Sequence, residues 1–215
     1  DMVALGMPAD RIRVHRTGVD LDRFQPIDRA AAKARLGVEG PLLVTPGALI
    51  PRKGQKLVLE ALERLEGAIL LVVGEGPDRN DLETIARSRG LAGRVRFLGN
   101  RPHEELPALL AAADVMALSS ASEGLANVWV EALACGTPIV ISDVGGAREV
   151  VDRPEAGRIV AREPEAIAAA IRELVAYPPA PAAVRAAAER FSWDRNAREL
   201  REHLGSLARP VSEAA

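Results

Sequence analysis

The sequence predicts a doubly wound α/β fold: a parallel sheet of about six strands with helices on both faces, followed by C-terminal helices. Three observations carry this. Six short runs rich in Leu, Val and Ile recur at intervals of roughly twenty to thirty residues, each reading as a strand buried on both faces. Helical patterning fills the intervals, and glycine falls just past the ends of the runs. Crossovers of this length imply right-handed βαβ units, and the ligand site of such a sheet lies at the C-terminal ends of its strands.

The runs are residues 41–45, 69–73, 95–98, 114–118, 138–142 and 157–160. Between them, Val58, Leu62 and Leu65 follow Gln55, Leu82 and Ile85 follow Asp78, and Leu106, Leu109 and Leu110 follow His103, all at helical spacing. The glycines at the strand ends are Gly47, Gly74 with Gly76, Gly99, Gly124, and Gly145 with Gly146; they permit tight turns and close ligand approach. Residues 164–177, 181–191 and 193–207 read as three further helices, rich in Ala for its helix propensity. Residues 1–25 differ from this core: one strand-like piece at 12–15, with no partner element before it, precedes a turn-rich Thr17-Gly18-Val19-Asp20 stretch. They read as the end of a longer chain.

Composition narrows the function. At 215 residues, 48% hydrophobic and 27% charged, the chain has ample apolar surface for a core. With 28 Lys+Arg against 30 Asp+Glu the net charge is −2, which argues against a nucleic-acid binder, so any anion site is local. Aromatics at 3% disfavour stacking on single-stranded nucleic acid. The apolar stretch Ala68 to Val73 falls far short of the roughly 18 residues of a transmembrane segment, and no charged-then-apolar leader opens the sequence. One cysteine, Cys135, excludes an internal disulfide and suits a reducing, cytoplasmic setting.

Two segments carry candidate chemistry. Gly47-Ala48-Leu49-Ile50-Pro51-Arg52-Lys53-Gly54 follows a strand and opens a helix. Backbone amides there with Lys53 and Arg52 make a phosphate cradle, each charged hydrogen bond contributing about 1.5–3 kcal/mol; a solvated basic turn is the plainer reading. The segment lacks P-loop spacing. The second segment, Ser119 through Pro138, is a loop feeding a helix that ends at glycine, with Glu123 and Glu131 eight residues apart. Glu123 sits just past a strand end, while Glu131 lies in an otherwise apolar helix, where an unpaired carboxylate is expensive. Vicinal ribose hydroxyls would satisfy its oxygens while the amides of residues 124–127 meet phosphate; pairing with an arginine is the structural alternative.

These residues resemble the C-terminal, donor-binding half of the retaining GT-B glycosyltransferases, the group 1 family. The ordered blocks are Gly18-Val19-Asp20-Leu21-Asp22-Arg23-Phe24, Pro51-Arg52-Lys53-Gly54, Val73-Gly74-Glu75-Gly76-Pro77, Val95-Arg96-Phe97-Leu98-Gly99, Ala113-Asp114-Val115, Glu123-Gly124, Glu131-Ala132-Leu133-Ala134-Cys135-Gly136-Thr137-Pro138, Val144-Gly145-Gly146 and Phe191-Ser192-Trp193. The resemblance implies a Rossmann-like domain that helps transfer a sugar from a nucleotide diphosphate sugar to an acceptor hydroxyl, with retention, without a metal and with no cofactor. By that resemblance Lys53, helped by Arg52, neutralises the diphosphate, Glu123 touches the donor sugar, and Glu131 holds the ribose. The backbone of Gly124, Leu125, Ala126, Asn127 and Val128 meets phosphate and sugar, Asn100 and Arg101 lie beside the base, and Gly47, Glu75 and Gly76 complete the donor pocket.

The resemblance also implies a division: residues 1–25 as interdomain connector, 26–190 as donor-binding domain, and 191–215 as a helix packing on an N-terminal domain that binds a glycan or lipid-linked acceptor. Without that domain the chain is expected to have little transfer activity, because both reactants must be held in register. The expected place is the cytoplasm, at the inner membrane face through the acceptor domain. Two departures stand out: Ala48 replaces an arginine that many relatives direct at the diphosphate, and Leu125-Ala126 replaces an aromatic-glycine pair.

Other residues read as structural. Asp20-Leu21-Asp22 has an Asp-x-Asp form but lies in the connector, Cys135 reads as a packed thiol, and Trp129 as core. His15, His103 and His203 lack metal-ligand spacing, although His103 follows the turn expected beside the base. Gly145, Gly146 and Glu149 read either as the mouth of the cleft or as helix capping. Two rival functions remain: a noncatalytic nucleotide-sugar binding module, motivated by Ala48, and a sugar-nucleotide epimerase, whose acid-base residues the sequence does not identify.

Overall fold

The structure is a computed structural model describing residues 2–208. In chain order its elements are α1 (Arg29–Arg35), β1 (Leu42–Pro46), α2 (Gln55–Leu62), β2 (Ile69–Val73), α3 (Arg79–Ser88), β3 (Val95–Gly99), α4 (Leu106–Ala112), β4 (Val115–Leu118), α5 (Asn127–Ala134), β5 (Ile139–Ser142), α6 (Ala147–Val150), β6 (Gly157–Val160), α7 (Pro164–Ala176), α8 (Pro181–Ala186) and α9 (Trp193–Ala208). The six strands form one sheet in the order β3-β2-β1-β4-β5-β6, every neighbouring pair parallel. All six expected strands are present, and the fold is the doubly wound α/β sheet that the sequence predicts.

Alternation along the strands builds two cores. Leu42, Val44, Leu71, Met116, Leu118, Ile139 and Ile141 face one layer, with residues of α4, α5 and α8. Leu43, Leu70, Val72, Val115, Ala117 and Val140 face the other, with residues of α2, α3 and α7. Because successive strand residues point to opposite faces, a sheet covered on both sides needs apolar residues at every position, which explains the unbroken hydrophobic runs. Burying each Leu, Val or Ile contributes roughly 1.5–3 kcal/mol. Asp28 starts α1 by accepting the Ala31 amide at 3.0 Å.

Three expectations need correction. Residues 12–15 form no strand; the connector instead pairs through Val19, which forms an isolated bridge with Ser192 and whose amide donates to the Phe191 carbonyl at 2.8 Å. The helix expected over 181–191 stops at Ala186, and a 3-10 turn at Glu189–Phe191 follows. Tight contacts from Ala187 to Val184 and from Ala188 to Arg185 overwind this stretch, and Ala187, Ala188 and Phe191 are buried. Helix α2 ends at Leu62, so Leu65 reaches the core from a turn. Residues 209–215 of the expected terminal segment lie outside the described residues.

Candidate functional site

The strand order reverses between β1 and β4, the place where loops leave in opposite directions and open a crevice. A cleft of about 640 Å³ lies at the C-terminal ends of β1, β2, β3 and β4, lined by loop residues after these strands and by the starts of α4 and α5. Glycine shapes its floor. Gly74 has φ +133°, and a Cβ there would stand 2.1 Å from the Gly47 carbonyl oxygen, so only glycine lets the loops after β1 and β2 meet this closely.

Lys53 and Glu123 meet inside the cleft although 70 residues separate them: Nζ donates to Oε1 at 2.6 Å, with the side chains 17% and 9% exposed. Arg52 is half exposed, bonds the Ser122 carbonyl and stands 3.6 Å from Glu123. Burial pushes the Glu123 carboxyl up, but the Lys53 hydrogen bond and the charges of Lys53 and Arg52 outweigh it and hold it below the usual range. An ammonium has three hydrogens, so Lys53 keeps two donors beyond the one given to Glu123. The two cations against one carboxylate leave this corner at +1.

Glu131 faces the same cleft from α5, where Trp129, Val130, Ala132, Leu133 and Ala134 around it are buried. Its partner is not an arginine: Oε1 lies 2.9 Å from Nε2 of His103. Helix α5 begins at Asn127 behind Ala126, so its first amides also open on the cleft. Across from it, Glu75 pairs with Arg79, and Arg101 bonds the Leu98 carbonyl at 3.1 Å.

Of the residues expected from sequence, Gly47, Lys53, Glu75, Asn100, Arg101, Glu123, Leu125, Ala126, Asn127, Val128 and Glu131 line this one cleft. Arg52, Gly76 and Gly124 do not. Gly76 packs on Leu49, where a Cβ would come 2.3 Å from the carbonyl oxygen, and the Gly124 carbonyl accepts the Gly146 amide at 2.7 Å. Glu149 pairs with Arg16 in a neighbouring cavity. Leu106, which the sequence marks only as a helix position, also lines the cleft, just past the turn after β3. Trp129 is fully buried in the core. Burial, then the Glu131 charge, pushes the Cys135 thiol up to about 12. Asp20 spends Oδ1 on the amides of Asp22 and Arg23, a local turn. Among the described residues no group of three or more His, Cys, Asp or Glu side chains is placed to hold a metal, and no helix is long and apolar enough to cross a membrane.

A model of the family described as glycosyl transferases group 1 matches residues 27–191, and the chain belongs to that family. It is 36% identical over 218 residues to a GDP-mannose-dependent alpha-(1-6)-phosphatidylinositol monomannoside mannosyltransferase of Mycobacterium tuberculosis, covering 92% of this chain and 56% of that protein. It is 38% identical over 215 residues to a D-inositol 3-phosphate glycosyltransferase of Mycobacteroides abscessus, covering 94% and 47%. The chain thus spans about half the length of the curated relatives it matches. Among solved structures, Anabaena HepE in complex with UDP superposes with a TM-score of 0.86 at 26% identity, over 95% of this chain and 60% of that one. The C-terminal domain of a glycosyl transferase group 1 family protein from Francisella tularensis shares the fold, with a TM-score of 0.65 at 22% identity over 85% of this chain and 98% of that one.

Proposed function

We propose that this chain is the donor-binding part of a retaining, metal-independent glycosyltransferase that moves a sugar from a nucleotide diphosphate sugar to an acceptor hydroxyl. One observation carries the reading: Lys53, Glu123, Glu131 and the first turn of α5 converge on a single cleft at the switch point of the sheet. Glu131 accepts from the ribose hydroxyls, the Asn100-Arg101 turn lies beside the base, and the α5 amides with the two spare Lys53 donors take the diphosphate. As the bond from the anomeric carbon to the diphosphate oxygen breaks, negative charge grows on the leaving group, and Lys53 with Arg52 nearby stabilises it. Glu123 holds Lys53 in place and touches the donor sugar. The GDP-mannose of the mycobacterial relative and the UDP bound to HepE are of the class this cleft is proposed to take.

The acceptor, a glycan or lipid-linked hydroxyl, is held by an N-terminal domain on which α9 packs. The partly exposed Trp193, Leu200 and Leu204 on α9 support that packing. The enzyme works in the cytoplasm at the inner membrane face, and the donor domain by itself transfers little sugar. A noncatalytic binding module is the second reading, carried by Ala48, which lines the cleft without a charge.

Titration of the full-length protein with UDP, GDP and ADP and their hexose conjugates, followed by ligand-observed NMR, tests the donor site. One nucleotide should be preferred, and Lys53→Ala should weaken it by about 1.5–3 kcal/mol, roughly 10- to 150-fold. Affinity unchanged by Lys53→Ala would remove the diphosphate role. Acceptor-dependent release of nucleoside diphosphate, undiminished by a chelator, separates the metal-independent enzyme from a binding module.

A further inference from the structure

We propose that His103 is a positioning residue that presets Glu131 to read a ribose rather than a deoxyribose. The inference rests on the reading of Glu131 as the ribose acceptor. Glu131 is 9% exposed on an otherwise apolar helix, and among the described residues its side-chain hydrogen-bond partner is the His103 ring. A carboxylate only accepts, so Nε2 of His103 carries the hydrogen at the 2.9 Å contact with Oε1.

The ring packs on the connector. The His103 side chain is half exposed, but its ring centroid lies 5.4 Å from that of Phe24, which is buried at 1% exposure, and it lines the cleft with Leu106. His103 therefore joins the connector, through Phe24, to the carboxylate on α5. With Oε1 engaged, the carboxylate has lost most of its rotational freedom, and its free lone pairs serve a donor in the cleft. Vicinal hydroxyls find an acceptor already oriented; a 2′-deoxyribose leaves one of its sites unfilled. Lysine or arginine in place of His103 would form a full ion pair with Glu131 and compete with the weak donors of a sugar; a histidine supplies a single directed hydrogen.

The test compares UDP and GDP with their 2′-deoxy counterparts on the full-length protein, by calorimetry, for wild type, Glu131→Ala, His103→Ala and His103→Gln. The glutamine amide puts a donor near the place of Nε2. Wild type should prefer the ribonucleotide. His103→Ala should weaken ribonucleotide binding about tenfold and leave the deoxynucleotide within about twofold, and His103→Gln should recover most of the loss. A purely structural role, exercised through the packing on Phe24, would weaken both nucleotides equally and show no rescue, which overturns the proposal. Loss of the preference in Glu131→Ala with its retention in His103→Ala overturns the positioning role alone. A wild-type protein that binds nucleotides without preference, and is unaffected by Glu131→Ala, overturns the ribose reading and this inference with it. A wild-type protein that binds no nucleotide overturns the donor site altogether.

Discussion

Replacing Lys53 by methionine removes one partner of the Lys53–Glu123 pair and strands the other. The two side chains are 17% and 9% exposed and 2.6 Å apart, so water replaces the lost ammonium poorly. Arg52, at 3.6 Å and half exposed, compensates only in part. An orphaned, largely buried carboxylate costs about 1–3 kcal/mol, and in a chain of this size each kcal/mol lowers Tm by roughly 2–4 °C. The pH dependence follows from the sign of the Glu123 shift. Its carboxyl lies below the usual value when folded, so it stabilises the wild type above the unfolded value of about 4.3, and that stability is lost as pH falls through the folded value. In the variant the Lys53 hydrogen bond and charge no longer oppose burial, and the carboxyl moves up relative to the wild type. The difference between the two proteins should therefore be largest near neutral pH and shrink in acid, at a pH below the folded value of the wild-type Glu123 carboxyl, where both carboxyls are protonated. Urea unfolding at both pH values measures it. A difference independent of pH, or smaller than about 0.3 kcal/mol at neutral pH, would refute the coupling.

Two further outcomes follow from packing. Gly74→Ala should destabilise by about 2 kcal/mol or more in thermal or urea unfolding, because φ +133° and a 2.1 Å approach to the Gly47 oxygen both oppose a Cβ; Gly93→Ala, where a Cβ meets nothing within 4 Å, should stay within about 0.5 kcal/mol. Cys135, buried with its thiol pushed up to about 12, should react with a thiol reagent at pH 8 at the rate of unfolding, so that alkylation accelerates in step with added urea; rapid alkylation of the folded protein would contradict that burial.

The corrections to the sequence reading share one cause. Residues 12–15 have strand-forming side chains, but a strand exists only where another strand accepts its hydrogen bonds, and the pairing goes instead to Val19 and Ser192. The helix expected over 181–191 breaks after Ala186, where Ala187, Ala188 and Phe191 are buried. At the site, Glu131 was legible because a carboxylate in an apolar helix asks for a partner. That the partner is His103, 28 residues away, was not legible, since arginine is the commoner answer.

The sequence by itself determined the order of elements, the parallel sheet and the edge on which the cleft opens. Those follow from local patterns: runs apolar at every position, helical spacing between them, and glycine at the turns. Only the tertiary structure decided which side chains share the cleft, that Arg52 and Gly76 stand off its lining, and that Lys53 and His103 each hold a carboxylate. Contacts between residues far apart in the chain depend on loop path and packing to within an ångström or so, and hydrophobic periodicity does not encode distances of that kind.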